Sequence, residues 1–399
     1  MKIKNKFKFV RSIIILVLLV VLLVLKIQEN FFKNNNESVP ASAEAEVIDE
    51  GKKDTTINMS VIGDIMCHNS QYEDAYDSKT DTYDFSYVFE DVKEHISSAD
   101  IAIGNLETTF AGKERGYSNY PTFNTPEALA MDLKEIGIDV LSTANNHSLD
   151  KGYTGLVSTL NFLDEAGISH MGTYDSYEAK NEVLVKEVNG IKIAFLSFTY
   201  GTNGIPVPSG KEYCINLIDK DLILKQIEYA KSKNVDIISV NMHWGVEYRT
   251  TPNDEQKELA DFLFENGVDL ILGSHPHVIE TMEKRTITLA DGSTKDGFVI
   301  YSLGNFISGQ VKENTKNTII LDLQITKHAE GNITIDSAKY TPLYMYKSSK
   351  GSTKKYKLLD IEKTISNYEN GADMSIGSST YNTLNTELQK IYKTIGSEF

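Results

Sequence analysis

The stretch LILGSHPH, residues 270–277, decides how the rest of the chain is read. Its aliphatic run has the length of a buried strand, and it stops at Gly273-Ser274 before two histidines, His275 and His277. Pro276 between them restricts the backbone and holds both rings in one loop. Four other stretches share this grammar: VIGDIMCH (61–68), IAIGNLE (101–107), VLSTANNH (140–147) and IISVNMHWG (237–245). Each apolar run ends on small or polar residues that bring a carboxylate, an amide or an imidazole. Ligands collect at the carboxyl ends of strands in layered α/β folds. The five stops are therefore expected to converge on one metal site.

Between these runs the pattern alternates. Strands are expected at 57–62, 101–104, 140–144, 193–198, 236–241, 269–272 and 298–302, and helices at 86–97, 126–136, 153–166, 220–233 and 254–266. Asn189-Gly190 and Asp291-Gly292 mark two hairpins. The strands are apolar on both sides, so each face needs a cover of helices or a second sheet. This is an α/β layered fold with antiparallel additions.

The chain has 399 residues, with 41% hydrophobic and 24% charged, as in a folded globular protein. Its net charge of −16 is unevenly spread: six basic residues and no acid lie in 1–26, leaving 34 basic against 56 acidic residues elsewhere. An acidic body argues against a nucleic-acid partner. Two cysteines, Cys67 and Cys214, exclude a disulfide framework, so a transition-metal site must use His, carboxylate and amide ligands.

Residues 1–11 are basic and 13–25 are unbroken aliphatic. A basic flank before an apolar run keeps the N-terminus in the cytoplasm. We expect a cytoplasmic tail (1–11), a transmembrane anchor (12–27), a polar linker (28–55), a folded domain (56–346) outside the membrane, and a peripheral C-terminal extension (347–399). A cleaved signal peptide is the alternative reading of the apolar run. Ala41-Ser42-Ala43, the candidate cleavage site, lies well past it.

Taken singly, Asp64 and Glu107 read as caps or turns, Asn145 as a turn residue and His243 as a core histidine. Together with Asn146, His147, His275 and His277 they form a donor set of imidazole, carboxylate and amide oxygen that suits Zn, Mn or Fe. That set exceeds the needs of one tetrahedral ion, so one or two divalent ions are expected. Trp244 and Asn305 read as wall or packing and as closure or turn. Cys67 reads as a buried filler, and the lysines at 347, 350, 354, 355 and 357 as a solvated run or a polyanion contact.

In this order GDIM, NLE, ANNHSLDKG, HWG, GSHPH and YSLGNF resemble the CapA-type capsule-synthesis proteins, a family associated with poly-γ-glutamate and of calcineurin-like metallophosphatase fold. The resemblance implies a layered sandwich of two mixed β-sheets flanked by helices. It implies metal ligation by Asp64, Glu107, Asn146, His243, His275 and His277, with His147 protonating a leaving group. It also implies capsule-synthesis membrane proteins as partners and an anionic polymer as ligand. Two positions depart from the family pattern: Met66 stands where Asp-x-His usually has its His, with His68 nearby, and Glu107 replaces a bridging Asp. Two functions are expected from this, a metal-dependent hydrolase or transferase acting on envelope polymer, and a non-catalytic component of a polymer synthesis and export complex.

Overall fold

The apolar runs become strands because β-branched and aliphatic side chains pack well on a pleated surface covered on both faces. The computed structural model describes residues 53–396 and Lys26, leaving out 289–291, 293, 352, 373 and 374. The chain divides at Gly51/Lys52, and both large sheets belong to the unit Lys52–Phe399. The expected tail, the anchor and most of the linker lie outside the described residues. Among the described residues, no helix is long and apolar enough to cross a membrane.

In chain order the strands are β1 (Thr55–Met66), β2 (Tyr76–Asp77), β3 (Thr82–Tyr83), β4 (Ile101–Leu106), β5 (Val140–Ser142), β6 (Ser169–Met171), β7 (Leu184–Val188) and β8 (Ile191–Thr199). They continue with β9 (Ile237–His243), β10 (Leu270–Ser274), β11 (Met282–Thr288), β12 (Thr294–Ile300), β13 (Asn305–Ser308), β14 (Asn317–Lys327), β15 (Ile333–Lys347) and β16 (Tyr356–Asp360). One mixed sheet runs β16-β15-β14-β1-β4-β5-β6, with β13 also on β1, and a second runs β11-β12-β10-β9-β8-β7. β2 and β3 pair separately. Parallel pairing of β1, β4, β5 and β6, and of β8, β9, β10 and β12, sends their carboxyl ends to one side.

The sheets face each other across a shared core: Ile57, Met59 and Ile103 of the first meet Ile193, Phe195 and Leu272 of the second. Helices Ala128–Glu135 and Gly152–Ala166 help cover the outer face of the first sheet, and Lys220–Ser232 and Asp254–Glu265 that of the second. The molecule is thus a mixed α/β sandwich of two sheets flanked by helices.

Local signals account for the boundaries. Asn189 and Gly190 both take positive φ, 49° and 82°, as a two-residue hairpin turn requires. Asn253 and Gln256 close a reciprocal cap on the helix Asp254–Glu265. The helix expected over 86–97 is broken into a 3₁₀ turn, Ser86–Phe89, and a short helix, Lys93–Ser97. Tyr87, Val88 and Phe89 are all buried, more than a single helical stripe can face inward.

The segment after Tyr346, expected as peripheral, is in its described residues integral to the fold. β16 adds to the first sheet, and helices Ile361–Glu369 and Ser378–Ile395 place Ile361, Ile365, Leu384, Leu388, Ile391 and Ile395 in the core shared by the sheets. The lysine run is fastened as well: Lys354 pairs with Asp84 (3.2 Å) and Lys357 with Glu90 (3.0 Å), while the Lys355 N–H donates to Asp74 Oδ2 (2.6 Å).

Gly273 shows how tightly the site-bearing strands approach. A Cβ there would lie 1.9 Å from Tyr301 O and 2.8 Å from Ile300 O, both backbone atoms. Gly273→Ala is therefore expected to cost roughly 3–5 kcal/mol. That lowers the melting temperature by about 10 °C. Gly190→Ala meets nothing within 4 Å and carries only the positive-φ penalty, about 1–2 kcal/mol. Thermal denaturation of both variants checks this; equal shifts would show that the backbone contact does not matter.

Candidate metal centre

The expected ligand residues meet at the carboxyl ends of the two sheets. Asp64 is on β1, and its Oδ1 accepts a hydrogen bond from Asn105 Nδ2 (2.8 Å) while Oδ2 accepts from the His275 N–H (3.2 Å). Glu107 follows β4; Asn146 and His147 sit in the turn after β5, which Asn145 holds by donating from Nδ2 to Leu106 O (2.7 Å). His243 ends β9, and its Nε2 lies 2.7 Å from Asn146 Oδ1. His275 and His277 follow β10 with φ of 97° and 60°. Left-handed backbone at a residue other than glycine costs on the order of 1–3 kcal/mol and collects at functional sites. The Tyr248 N–H pins the intervening Pro276 carbonyl at 2.7 Å.

Two ligand groups result. Glu107, His243 and His275 offer donor atoms within 4.8 Å of one another, and so do Asp64, Glu107 and His277. Glu107 is shared. Both of its carboxylate oxygens, and His275 Nδ1, are buried without a hydrogen-bond partner in the protein. Burying a carboxylate without hydrogen bonds costs several kcal/mol unless a cation or proton compensates. The buried mixture of imidazole, carboxylate and amide oxygen fits divalent ions of the Mn, Zn or Fe type. A carboxylate shared by both groups would serve one or two such ions.

The electrostatics agree. Burial pushes the Glu107 carboxyl well above its usual range, since His277 offsets the desolvation only in part and Asp64 adds to it. Burial opposes a charge on His277, but Glu107 and Asp64 beside it outweigh that and hold its pKa up at about 9. In the metal-free protein the His277 imidazolium thus supplies positive charge to the cluster. Burial keeps His243 neutral, with a pKa of about 3, and pushes His275 well below its usual value. Both are then in the ligating form.

His147 Nδ1 lies 2.7 Å from Asp150 Oδ2. Burial lowers its pKa, but the Asp150 hydrogen bond and the Glu107 charge more than offset this and raise it.

The remaining positions sort differently. Met66 is buried with its sulfur 3.9 Å from Gln310 Nε2, and His68 belongs to neither ligand group among the described residues. The His68 N–H donates to Gln71 Oε1 (3.0 Å) where the helix Asn69–Ala75 begins, and burial takes its pKa down to about 4. Trp244 is packing: it stacks on Tyr301 and donates from Nε1 to Tyr301 O (2.9 Å). Asn305 does close the site, pairing in register with Asp64 and placing Oδ1 3.1 Å from His277 Nδ1. Cys67 is buried.

Sequence reading missed Tyr200 and Asn203 in the loop after β8. The Tyr200 ring lies 4.5 Å from His275, centroid to centroid, and Asn203 Nδ2 is 3.4 Å from His147 Nε2. Asn203 Oδ1 also accepts from Asn146 Nδ2 (3.1 Å). The TNG sequence carries only turn residues, and Asn203 takes a positive φ of 51°.

Fold and site together define the class: a two-sheet α/β protein with a buried His–carboxylate cluster suited to divalent ions. Residues 58–310 match the family profile described as Bacterial capsule synthesis protein PGA_cap, and the chain belongs to that family. It is 29% identical over 322 residues to the PGA biosynthesis protein CapA of Bacillus subtilis (strain 168), covering 78% of this chain and 77% of that one. It is 28% identical over 283 residues to the Capsule biosynthesis protein CapA of Bacillus anthracis, covering 69% of this chain and 65% of that relative's length. A solved structure of a putative 5'-nucleotidase from Staphylococcus aureus aligns with TM-score 0.47 at 14% identity, over 75% of this chain and 56% of that one.

Proposed function

We propose that the protein is a membrane-anchored, extracellular component of capsule or poly-γ-glutamate biosynthesis, with a metal-dependent hydrolase or transferase site acting on envelope polymer. The observation that carries the catalytic part is Glu107, a buried carboxylate shared by two ligand groups with neither oxygen hydrogen-bonded by the protein. Divalent ions bound there supply Lewis acidity and activate water at neutral pH. Asp64, Glu107, Asn146, His243, His275 and His277 hold them. His147, steadied by Asp150 at Nδ1, presents Nε2 to donate a proton to the leaving group. Residues 12–27 serve as the anchor, and other capsule-synthesis membrane proteins as partners.

A second reading, a non-catalytic scaffold in the synthesis complex, is favoured by Met66: a buried thioether occupies the position where the family pattern has a ligand. His147→Gln separates the two readings. Catalysis predicts unchanged metal content by elemental analysis and a loss of about 10²–10⁴-fold in release of phosphoester or γ-glutamyl products. Normal polymer output from a folded His147→Ala/His277→Ala double variant would instead favour the scaffold.

A further inference from the structure

We propose that Lys312 is the anion-binding residue of this site and that it selects a carboxylate-bearing polymer; the inference rests on the polymer reading above. Lys312 lies in the loop between β13 and β14, and that loop is tied to the cluster. Asn305, in contact with His277, donates from Nδ2 to Gln310 Oε1 (3.0 Å) and Thr315 O (3.0 Å). Thr315 Oγ1 in turn donates to Lys312 O (2.8 Å), and Gln310 Nε2 donates to Tyr248 Oη (3.3 Å). The lysine's backbone is thus a few hydrogen bonds from a metal-ligand candidate.

Its side chain is placed too. Lys312 Nζ sits 3.5 Å from the centroid of the Tyr248 ring, and that ring lies 6.0 Å from His277. A cation over an aromatic face is positioned without being neutralised. Among the described residues Lys312 has no carboxylate partner, whereas Lys354 and Lys357 are paired with Asp84 and Glu90, and Lys390 with Glu313 and Glu387. The basic segment singled out in the sequence is therefore partly spent on the protein's own acids, and Lys312 keeps its charge for a ligand.

The need for such a charge is physical. With a net charge of −16 the chain repels a polyanion overall, and Glu247, on the Tyr248 loop, adds to that repulsion at the site. A local cation beside the metal ligands offsets this where the polymer must enter. Beside it Val311 is 84% exposed, apolar surface that suits the methylene groups of a polyamide better than a chain of phosphates.

The test titrates the metal-loaded full chain with fluorescein-labelled poly-γ-glutamic acid at low ionic strength, following anisotropy, with metal content and melting temperature recorded for every variant. Lys312→Ala is expected to weaken binding about tenfold, one charge-assisted contact. Lys312→Glu weakens it further, and Lys312→Arg stays close to wild type. The affinity of Lys312→Ala also depends less on salt. The methyl ester of the polymer binds weakly and indifferently to the substitution. Wild-type affinity in Lys312→Ala, or equal binding of ester and acid, overturns the assignment. A larger Lys312→Ala effect on inorganic polyphosphate than on poly-γ-glutamate overturns the carboxylate selectivity. A wild-type chain that binds metal but no polymer overturns the polymer reading and this inference together, whereas polymer binding indifferent to Lys312 overturns the inference alone.

Discussion

Glu107→Gln is expected to lower the divalent metal bound per chain by elemental analysis, while leaving the metal-free protein as stable as wild type or more so. The substitution keeps size and removes the charge. In the metal-free fold burial disfavours the charged form of Glu107 and raises its pKa well above the usual carboxylate range. A group with a raised folded pKa contributes stability that is full below the unfolded value and lost as pH climbs through the folded one. Metal-free wild type therefore loses stability from about pH 5 upward, and the glutamine variant lacks that loss. Metal reverses the order. Wild type gains about 2.7 kcal/mol when free metal is 100 times Kd, because only the native state binds it. Melting curves at pH 6 and pH 8, with chelator and with Mn²⁺, should cross between the two proteins. Equal metal content and equal metal-induced shifts would remove Glu107 from the shared position.

Ending the chain after Tyr346 is expected to abolish cooperative folding. The cut removes β16 and the two C-terminal helices, and with them Ile361, Ile365, Leu384, Leu388, Ile391 and Ile395 from the core between the sheets. At roughly 1.5–3 kcal/mol for each buried aliphatic side chain, the loss is on the order of 10 kcal/mol. That equals the whole stability of a typical domain, about 5–15 kcal/mol. It also uncovers the edge of β15, a strand of 15 residues that would pair with other chains. A truncated chain that stays monomeric and melts within a few degrees of the full chain would show these helices to be dispensable.

The sequence revealed most where one residue run did two jobs. VIGDIM, IAIGNLE, IISVNMH and LILGSHPH are each a strand and its chemical terminus, so reading the strand places Asp64, Glu107, His243, His275 and His277. β14 and β15 carry no candidate ligand and passed unnoticed, although they pair with β1 and complete its sheet. The helix Ser378–Ile395 is amphipathic, but a stripe in the sequence does not say which core it joins. Tyr200 and Asn203 escaped for another reason: each touches the cluster only because the loop after β8 folds over it. His68 lay two residues from the expected ligand position, and its place at a helix start, not its distance along the chain, keeps it out.

β1 lies in the middle of its sheet, with β4 on one side and β13 and β14 on the other. Asp64 therefore aligns with Asn305, a partner synthesised long after it. The first strand cannot acquire its second neighbour until most of the chain exists, and such distant pairings slow folding. Until then Asp64 and Glu107 wait as ordinary carboxylates in an open chain. The cluster assembles late, and metal captured before that moment would be held by an incomplete set. Loading with a divalent ion is thus tied in time to the closing of the sheet.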